Sequence, residues 1–191
     1  MRKESLFKIF AKMPIIETER LRLRPMRVSD APDMFDYARR PEVTRYLLWS
    51  PHPNIEYTKE YLEYLGGRYR LGMHHEWAVV LKESERMIGT CGFANIDCPH
   101  NCGELGYVLH PDYHGKGLIT EAAQAVLEVG FSTLALNRIE VRFMAENAAS
   151  RRVSEKLGMQ FEGVRRSSML IKGAYRDIAY AAILAKDYRR A

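Results

Sequence analysis

The amino-acid sequence predicts an α+β fold, a mixed and mainly antiparallel sheet flanked by helices inserted between its strands. Three observations carry that expectation. Charged and apolar residues alternate with a period of two in Arg20-Leu21-Arg22-Leu23-Arg24, which suits a strand with one buried face. The apolar runs 77–81 and 87–93 flank a short polar turn at 82–86, the pattern of a hairpin. Other stretches, such as Ile119, Ala122, Ala123, Val126 and Leu127, repeat apolar residues at helical spacing. With 191 residues, 47% of them hydrophobic, the chain is long enough to bury a sizeable core.

Taken in order, residues 1–14 form a basic amphipathic arm, in which Arg2, Lys3, Lys8 and Lys12 alternate with Leu6, Phe7, Ile9 and Phe10; residues 15–191 form a single domain. Residues 15–26 read as the opening strand. Ser29-Asp30-Ala31-Pro32-Asp33 then supplies a capping residue, a proline and an acidic first turn, so a helix follows through Met34, Phe35, Tyr37 and Ala38 as far as Pro41. A second helix is expected over 55–65, ended by Gly66-Gly67. Between these helices Tyr46-Leu47-Leu48-Trp49-Ser50-Pro51-His52-Pro53 is an aromatic loop, either a ligand wall or a packed surface loop. After the hairpin comes a strand at 103–109, a glycine-bearing loop and the helix containing Ile119. Residues 138–144 are a strand, 147–157 a helix stopped by Gly158, and two last strands surround Lys172-Gly173. The low-charge run 122–137 suits a core helix and falls short of the roughly 20 residues needed to span a bilayer, so no membrane insertion is expected.

Mixed charge, ordinary glycine and proline content and dispersed aromatics exclude disorder, a collagen-like repeat and a coiled coil. Cys91, Cys98 and Cys102 are odd in number, and the start of the chain lacks the features of a secretory signal; reduced thiols and a cytoplasmic location are expected. Cys98, His100 and Cys102 raise a zinc site, but the two-residue gap of zinc knuckles is missing and no second Cys/His pair follows. No metal is expected. The net charge of +5 raises nucleic-acid binding. Against that, a strand at 20–24 would put its arginines on a solvated sheet face, and nucleic acid is not the expected partner.

The most informative segment is Tyr107-Val108-Leu109-His110-Pro111-Asp112-Tyr113-His114-Gly115-Lys116-Gly117-Leu118-Ile119-Thr120-Glu121. A strand, a loop with two glycines and a helix start can present several N–H groups in one direction beside the positive end of the helix dipole, which suits phosphate. The spacing is neither that of a Walker loop nor that of a dinucleotide fingerprint. A plain strand-to-helix turn would read the same way.

Three segments together resemble the GNAT superfamily of acetyl-CoA-dependent N-acetyltransferases, in its RimJ/RimL-like branch. His114-Gly115-Lys116-Gly117-Leu118-Ile119 sits on the family's pyrophosphate motif, with His114 in place of Gln/Arg and Ile119 in place of a small residue. The stretch from Glu146-Asn147-Ala148-Ala149-Ser150 to Leu157-Gly158-Met159-Gln160-Phe161-Glu162-Gly163 is similar to the branch's Asn-x-x-Ser helix and Leu-Gly-Phe-x-x-Glu-Gly turn. Glu17-Thr18-Glu19-Arg20-Leu21-Arg22-Leu23-Arg24-Pro25 resembles its opening strand. The resemblance implies the GNAT fold with splayed central strands, here 103–109 and 138–144, and acetyl transfer from acetyl-CoA to a primary amine by direct attack.

It also implies a site. Tyr107, Val108 and Leu109 would hold pantetheine through their backbone, and His114, Gly115, Lys116, Gly117, Leu118, Ile119 and Thr120 would surround the diphosphate. An N–H of Val108 or Leu109 would face the thioester carbonyl. Asn147 and Ser150 would contact pantetheine and sulfur, with Ser150 donating to the leaving thiolate; an N-cap and a solvent-facing serine are the structural alternatives. The branch's strand glutamate is replaced by Met169, which leaves Glu104 as the candidate base or, alternatively, a paired surface charge. The acceptor is expected to be a peptide N-terminal α-amine, with a small-molecule amine or an acyl-CoA- or nucleic-acid-binding module as the other readings, and the chain a monomer or homodimer. Between Arg138 and Arg176 basic residues outnumber acidic ones, which would suit the phosphates of CoA.

Overall fold

A computed structural model describes residues 3–188. Its elements are α1 (Lys3–Ala11), β1 (Ile16–Glu17), β2 (Leu21–Arg24), α2 (Ala31–Ala38), α3 (Pro41–Thr44), α4 (Ile55–Arg70), β3 (Glu76–Leu81), β4 (Arg86–Asp97), β5 (Cys102–Leu109), α5 (Leu118–Glu128), β6 (Arg138–Met144), α6 (Ala148–Lys156), β7 (Gln160–Ile171) and β8 (Ala174–Leu184). The strands form one sheet in the order β1-β2-β3-β4-β5-β6-β8-β7. Every neighbouring pair is antiparallel except β5 and β6.

That parallel pair determines where a site can be. Its register covers only Cys102↔Arg138, Gly103↔Ile139 and Glu104↔Glu140. Beyond those rows β5 stays paired to β4 as far as Leu109, and β6 stays paired to β8 as far as Met144. Each strand follows its antiparallel partner, so the two part and leave a wedge in the middle of the sheet with unpaired backbone on both sides.

Strand alternation assigns the faces. Trp77, Cys91 and Tyr107 share a row and one face, and Glu76, Gly92 and Gly106 form the neighbouring row on the other. The core lies around the first face: Trp77, Phe93, Leu105 and Leu127 are all buried, and the Tyr107 hydroxyl donates to Ser150 O of α6 at 3.3 Å.

Several expectations change. The opening strand 15–26 is two short strands, because Thr18 and Arg20 turn the chain around the Glu121 carboxylate, which accepts from Thr18 Oγ1 and from Arg20 N. The second helix runs through Gly66 and Gly67 to Arg70, since buried Tyr69 ties the last turn down by accepting from Met26 N and donating to Glu76 O. Pro41 starts the short helix α3, and the run 122–137 ends as a helix at Glu128 in a π-turn, Val129–Thr133. In β2 Leu21 and Leu23 are buried as the alternation requires, and the arginines beside them are paired: Arg24 makes a buried two-bond pair with Asp30, Arg22 binds Glu17 and Glu85, and Arg20, just before the strand, binds Glu121. Of the basic arm, the described part is α1, whose Leu6 and Phe10 enter the core, Phe10 edge-on to Trp77; Arg2 lies outside the described residues. Among the described residues no helix is long and apolar enough to cross a membrane, and no three His, Cys, Asp or Glu gather to hold a metal.

Candidate active site

The glycine-bearing loop leaves β5 through His110, whose Nδ1 accepts from Asp112 N while its Nε2 donates to Asp36. Gly115 and Gly117 both take φ near +75°, with Gly117 the N-cap of α5. That backbone conformation favours glycine, and two such residues in alternation turn successive N–H groups toward one concavity. From Gly115 through Thr120, six consecutive N–H groups find no acceptor among the described residues; the first amide of α5 to bond back into the turn is Glu121 N, to Gly117 O. Six open donors at the head of an 11-residue helix could receive an anion through backbone alone.

The loop is held from behind. Arg20 donates to Lys116 O at 3.0 Å and to Glu121 at 2.7 Å. Burial works against ionisation of Glu121, but bonds from Thr18, the Arg20 N–H and the Arg20 guanidinium outweigh it and hold the carboxyl below its usual range. No local pattern announces this clamp, whose partners lie 101 positions apart.

The row of N–H groups opens into a cleft of about 390 Å³ bounded by the end of β5, the loop, the head of α5 and the first turns of α6. Tyr107, Val108, Leu109, His114, Gly115, Gly117, Leu118, Ile119, Thr120, Asn147 and Ser150 all line it. Of the residues expected around the diphosphate, Lys116 does not: its carbonyl is taken by Arg20 and its ammonium lies over the Tyr113 ring. His110 N donates to Ile88 O of β4, so by alternation Val108 turns its backbone to β4 and Leu109 turns its N–H into the wedge. Val108 meets the cleft through its side chain, and Leu109 is the residue whose N–H faces it. The Leu109 carbonyl accepts from His114 Nε2 at 3.0 Å, which gives His114 a structural bond at the mouth of the loop.

Asn147 Oδ1 accepts from Ser150 N at 3.1 Å, the N-cap of α6, and this cap fixes the first turn against the cleft. The Ser150 hydroxyl makes no bond with a described residue. The phenol of Tyr107, which sequence reading assigned only a backbone role, spans from β5 to α6 between two cavities, and burial pushes its pKa well up.

The second cavity, about 190 Å³, continues through the wedge toward the other face. Leu47, Leu48, Phe143, Met144, Met169 and Ile178 make it largely apolar. The aromatic loop at 46–53 contributes Tyr46, Leu47 and Leu48, so the start of this loop walls the cavity. His52 packs instead against Trp49, Tyr57 and Tyr61 and bonds Thr58. Glu104 reaches this cavity with its carboxylate on the Arg142 guanidinium at 2.7 Å.

One sheet, wedge and helix head thus place a row of open N–H groups, a narrow channel and a second, apolar chamber in line. Comparison with known proteins decides which chemistry this serves: the family model of the acetyltransferase (GNAT) domain matches residues 20–160. The chain belongs to the GNAT acetyltransferase family. It is 34% identical over 176 residues to the uncharacterized N-acetyltransferase p20 of Bacillus licheniformis, covering 92% of this chain and 99% of that one. It is 26% identical to spermidine N(1)-acetyltransferase of Escherichia coli strain K12, with 88% of each chain covered. The crystal structure of the ribosomal-protein-S5-alanine acetyltransferase from Vibrio fischeri superposes with a TM-score of 0.74 at 26% identity, over 93% of this chain and all of that one. The fold is the GNAT fold and the protein is an N-acetyltransferase, a family whose donor is acetyl-CoA. The expected splaying of the central strands is the wedge between β5 and β6.

Proposed function

We propose that this GNAT enzyme acetylates the α-amine of a peptide whose first side chain is apolar, with acetyl-CoA as donor. The observation that carries the donor half is the row of open N–H groups from Gly115 to Thr120, five of whose six residues line the cleft. These groups would receive the diphosphate, and Tyr107 and Leu109 would pair with pantetheine through their exposed backbone. Bound there, the thioester supplies an activated acetyl group to a neutral amine. The Leu109 N–H is aimed to donate to the carbonyl oxygen as it gains charge. Ser150, which lines both cavities, would donate to the departing sulfur, and Asn147 supports that role by holding the first turn of α6 through the N-cap.

The acceptor half rests on the second cavity. Its walls are apolar, and the carboxylate it exposes, Glu104, is already neutralised by Arg142. A polyamine, which carries several positive charges, would require several unpaired carboxylates lining those walls, and among the described residues none lines them. The Glu104–Arg142 pair instead offers both a donor and an acceptor to a peptide backbone, which orients the amine. Cys91 and Cys102 form no disulfide, which supports a cytoplasmic setting.

Thiol release from acetyl-CoA, measured against N-terminal peptides and spermidine, tests the reading. Peptides beginning with a small apolar residue are expected to show kcat/KM at least about tenfold above spermidine. A preference for spermidine overturns the acceptor assignment.

A further inference from the structure

The reaction needs a group that relieves the acceptor of its proton, because an ammonium has no lone pair to attack with. No histidine serves the acceptor chamber: His110 is committed to Asp36 and Asp112, His114 to Leu109 O, and His52 to Thr58 and three rings. Glu104 is occupied by Arg142. One other carboxylate approaches the chamber. Glu76 begins β3 in the row Glu76–Gly92–Gly106. Both of its neighbours in that row are glycines, and the space their side chains would fill is where Glu76 lies. A Cβ on Gly92 would fall 2.3 Å from Glu76 Cα, and one on Gly106 would stand 3.5 Å from Glu76 Oε1. Gly106 and Ala94, the other neighbour at that point, both line the acceptor chamber.

We infer that Glu76 is the residue that draws the proton from the acceptor ammonium, by way of a water beside Gly106. This rests on the acceptor reading of the second cavity. The step balances: the N–H bond of the ammonium breaks, its proton passes through water to a Glu76 oxygen, and the amine keeps the electron pair. That pair then forms the C–N bond as the C–S bond breaks; the nitrogen, now carrying one proton too many, releases it to Ser150 as Ser150 donates its own to the departing thiolate, so that amide and thiol both leave neutral. The proton on Glu76 returns to solvent after turnover.

Glu76 is suited to this by what surrounds it. Its side chain is 25% exposed, and no N–H or O–H of the described residues donates to its carboxylate. The nearest basic group is His74 Nε2 at 3.6 Å, and burial draws that imidazole down to about 4, so it brings no charge at neutral pH. The other titratable groups that sense its charge are Tyr61 and Tyr69 of α4, Tyr37 of α2 and, across the sheet, Cys91 of β4. None of these is a cation at neutral pH. Burial therefore raises the Glu76 pKa with no ion pair to oppose it, which makes the carboxylate a better base.

The test compares wild type, Glu76→Gln and Glu76→Asp in kcat/KM against pH with a peptide acceptor, and in acetyl-CoA Kd by calorimetry. The expected result is an unchanged Kd in Glu76→Gln, which shows the fold and donor site intact, with kcat/KM down about a hundredfold. Its low-pH limb should disappear, and Glu76→Asp should restore part of the rate and the limb. Turnover within twofold of wild type in Glu76→Gln, with the same limb, overturns the inference alone. A wild-type enzyme that prefers spermidine overturns the acceptor reading instead, so the two failures are distinct.

Discussion

At the scale of single residues, the donor site depends on backbone conformation more than on side-chain chemistry. Gly117 holds φ +75° and ψ 0° at the N-cap of α5, and the nearest atom to a Cβ placed there is Arg20 Nη2 at 3.6 Å. Space is available; conformation is not, because an L side chain in this region costs about 1–2 kcal/mol. Gly117→Ala is therefore expected to lower the melting temperature by about 2–8 °C. It should also raise the acetyl-CoA Kd severalfold, as the loop relaxes and the row of N–H groups loses alignment. An unchanged Kd, measured by calorimetry, would show that the row does not bind the donor. The glycine pattern was legible in the sequence because backbone conformations of this kind restrict residue type. Arg20, Glu121 and Glu76 were not, since each acquires its role from partners on other strands or helices.

At the scale of elements, strands were easier to read than helix ends. The strand at 138–144 agrees residue for residue with β6, because buried Ile139, Val141 and Phe143 alternate with Arg138, Glu140 and Arg142 at the period of a strand. The helix expected over 55–65 failed at its end. Gly66-Gly67 is a strong local breaker, yet α4 continues because Leu62, Leu65 and Tyr69 are buried on one face. Tertiary packing overrode propensity, and the glycines remain as a weakness. A Cβ on Gly66 would meet nothing within 4 Å. Gly66→Ala should then stabilise the protein by about 0.5–1 kcal/mol, mainly through the entropy of the unfolded chain. The check is the urea midpoint, and a decrease would mean that α4 does not persist through this turn in solution. The wedge between β5 and β6 could not be read from periodicity, because it arises from which neighbour each strand keeps. Only the likeness to GNAT sequences pointed to it.

At the scale of the whole molecule, the helices and the donor loop are tied together through one carboxylate. Asp36 of α2 accepts from Arg86 of β4 at 2.5 Å, from His110 at the base of the loop at 3.1 Å, and from Arg40 at 3.2 Å. Partial burial alone would raise its pKa, but the bonds from His110, Arg40 and Arg86 prevail and bring it to about 2, below its ordinary 3.8. A carboxyl depressed in the folded state binds protons more readily when unfolded, so its contribution is complete above 3.8 and is lost as pH falls toward 2. Stability to urea should therefore drop between pH 4 and 2. In Asp36→Asn the protein should be weaker at pH 7 and its decline in that window shallower, because the amide cannot titrate. A variant that declines in parallel with wild type would assign the acid limb to other carboxylates, Glu121 or Glu162 among them. The consequence reaches the site, because His110 also fixes Asp112 N at the start of the turn that leads to Gly115. If the contacts act as one unit, Asp36→Asn should weaken acetyl-CoA binding at neutral pH although it touches no residue of the cleft. Saturating acetyl-CoA should then recover part of the lost stability by binding only the folded state.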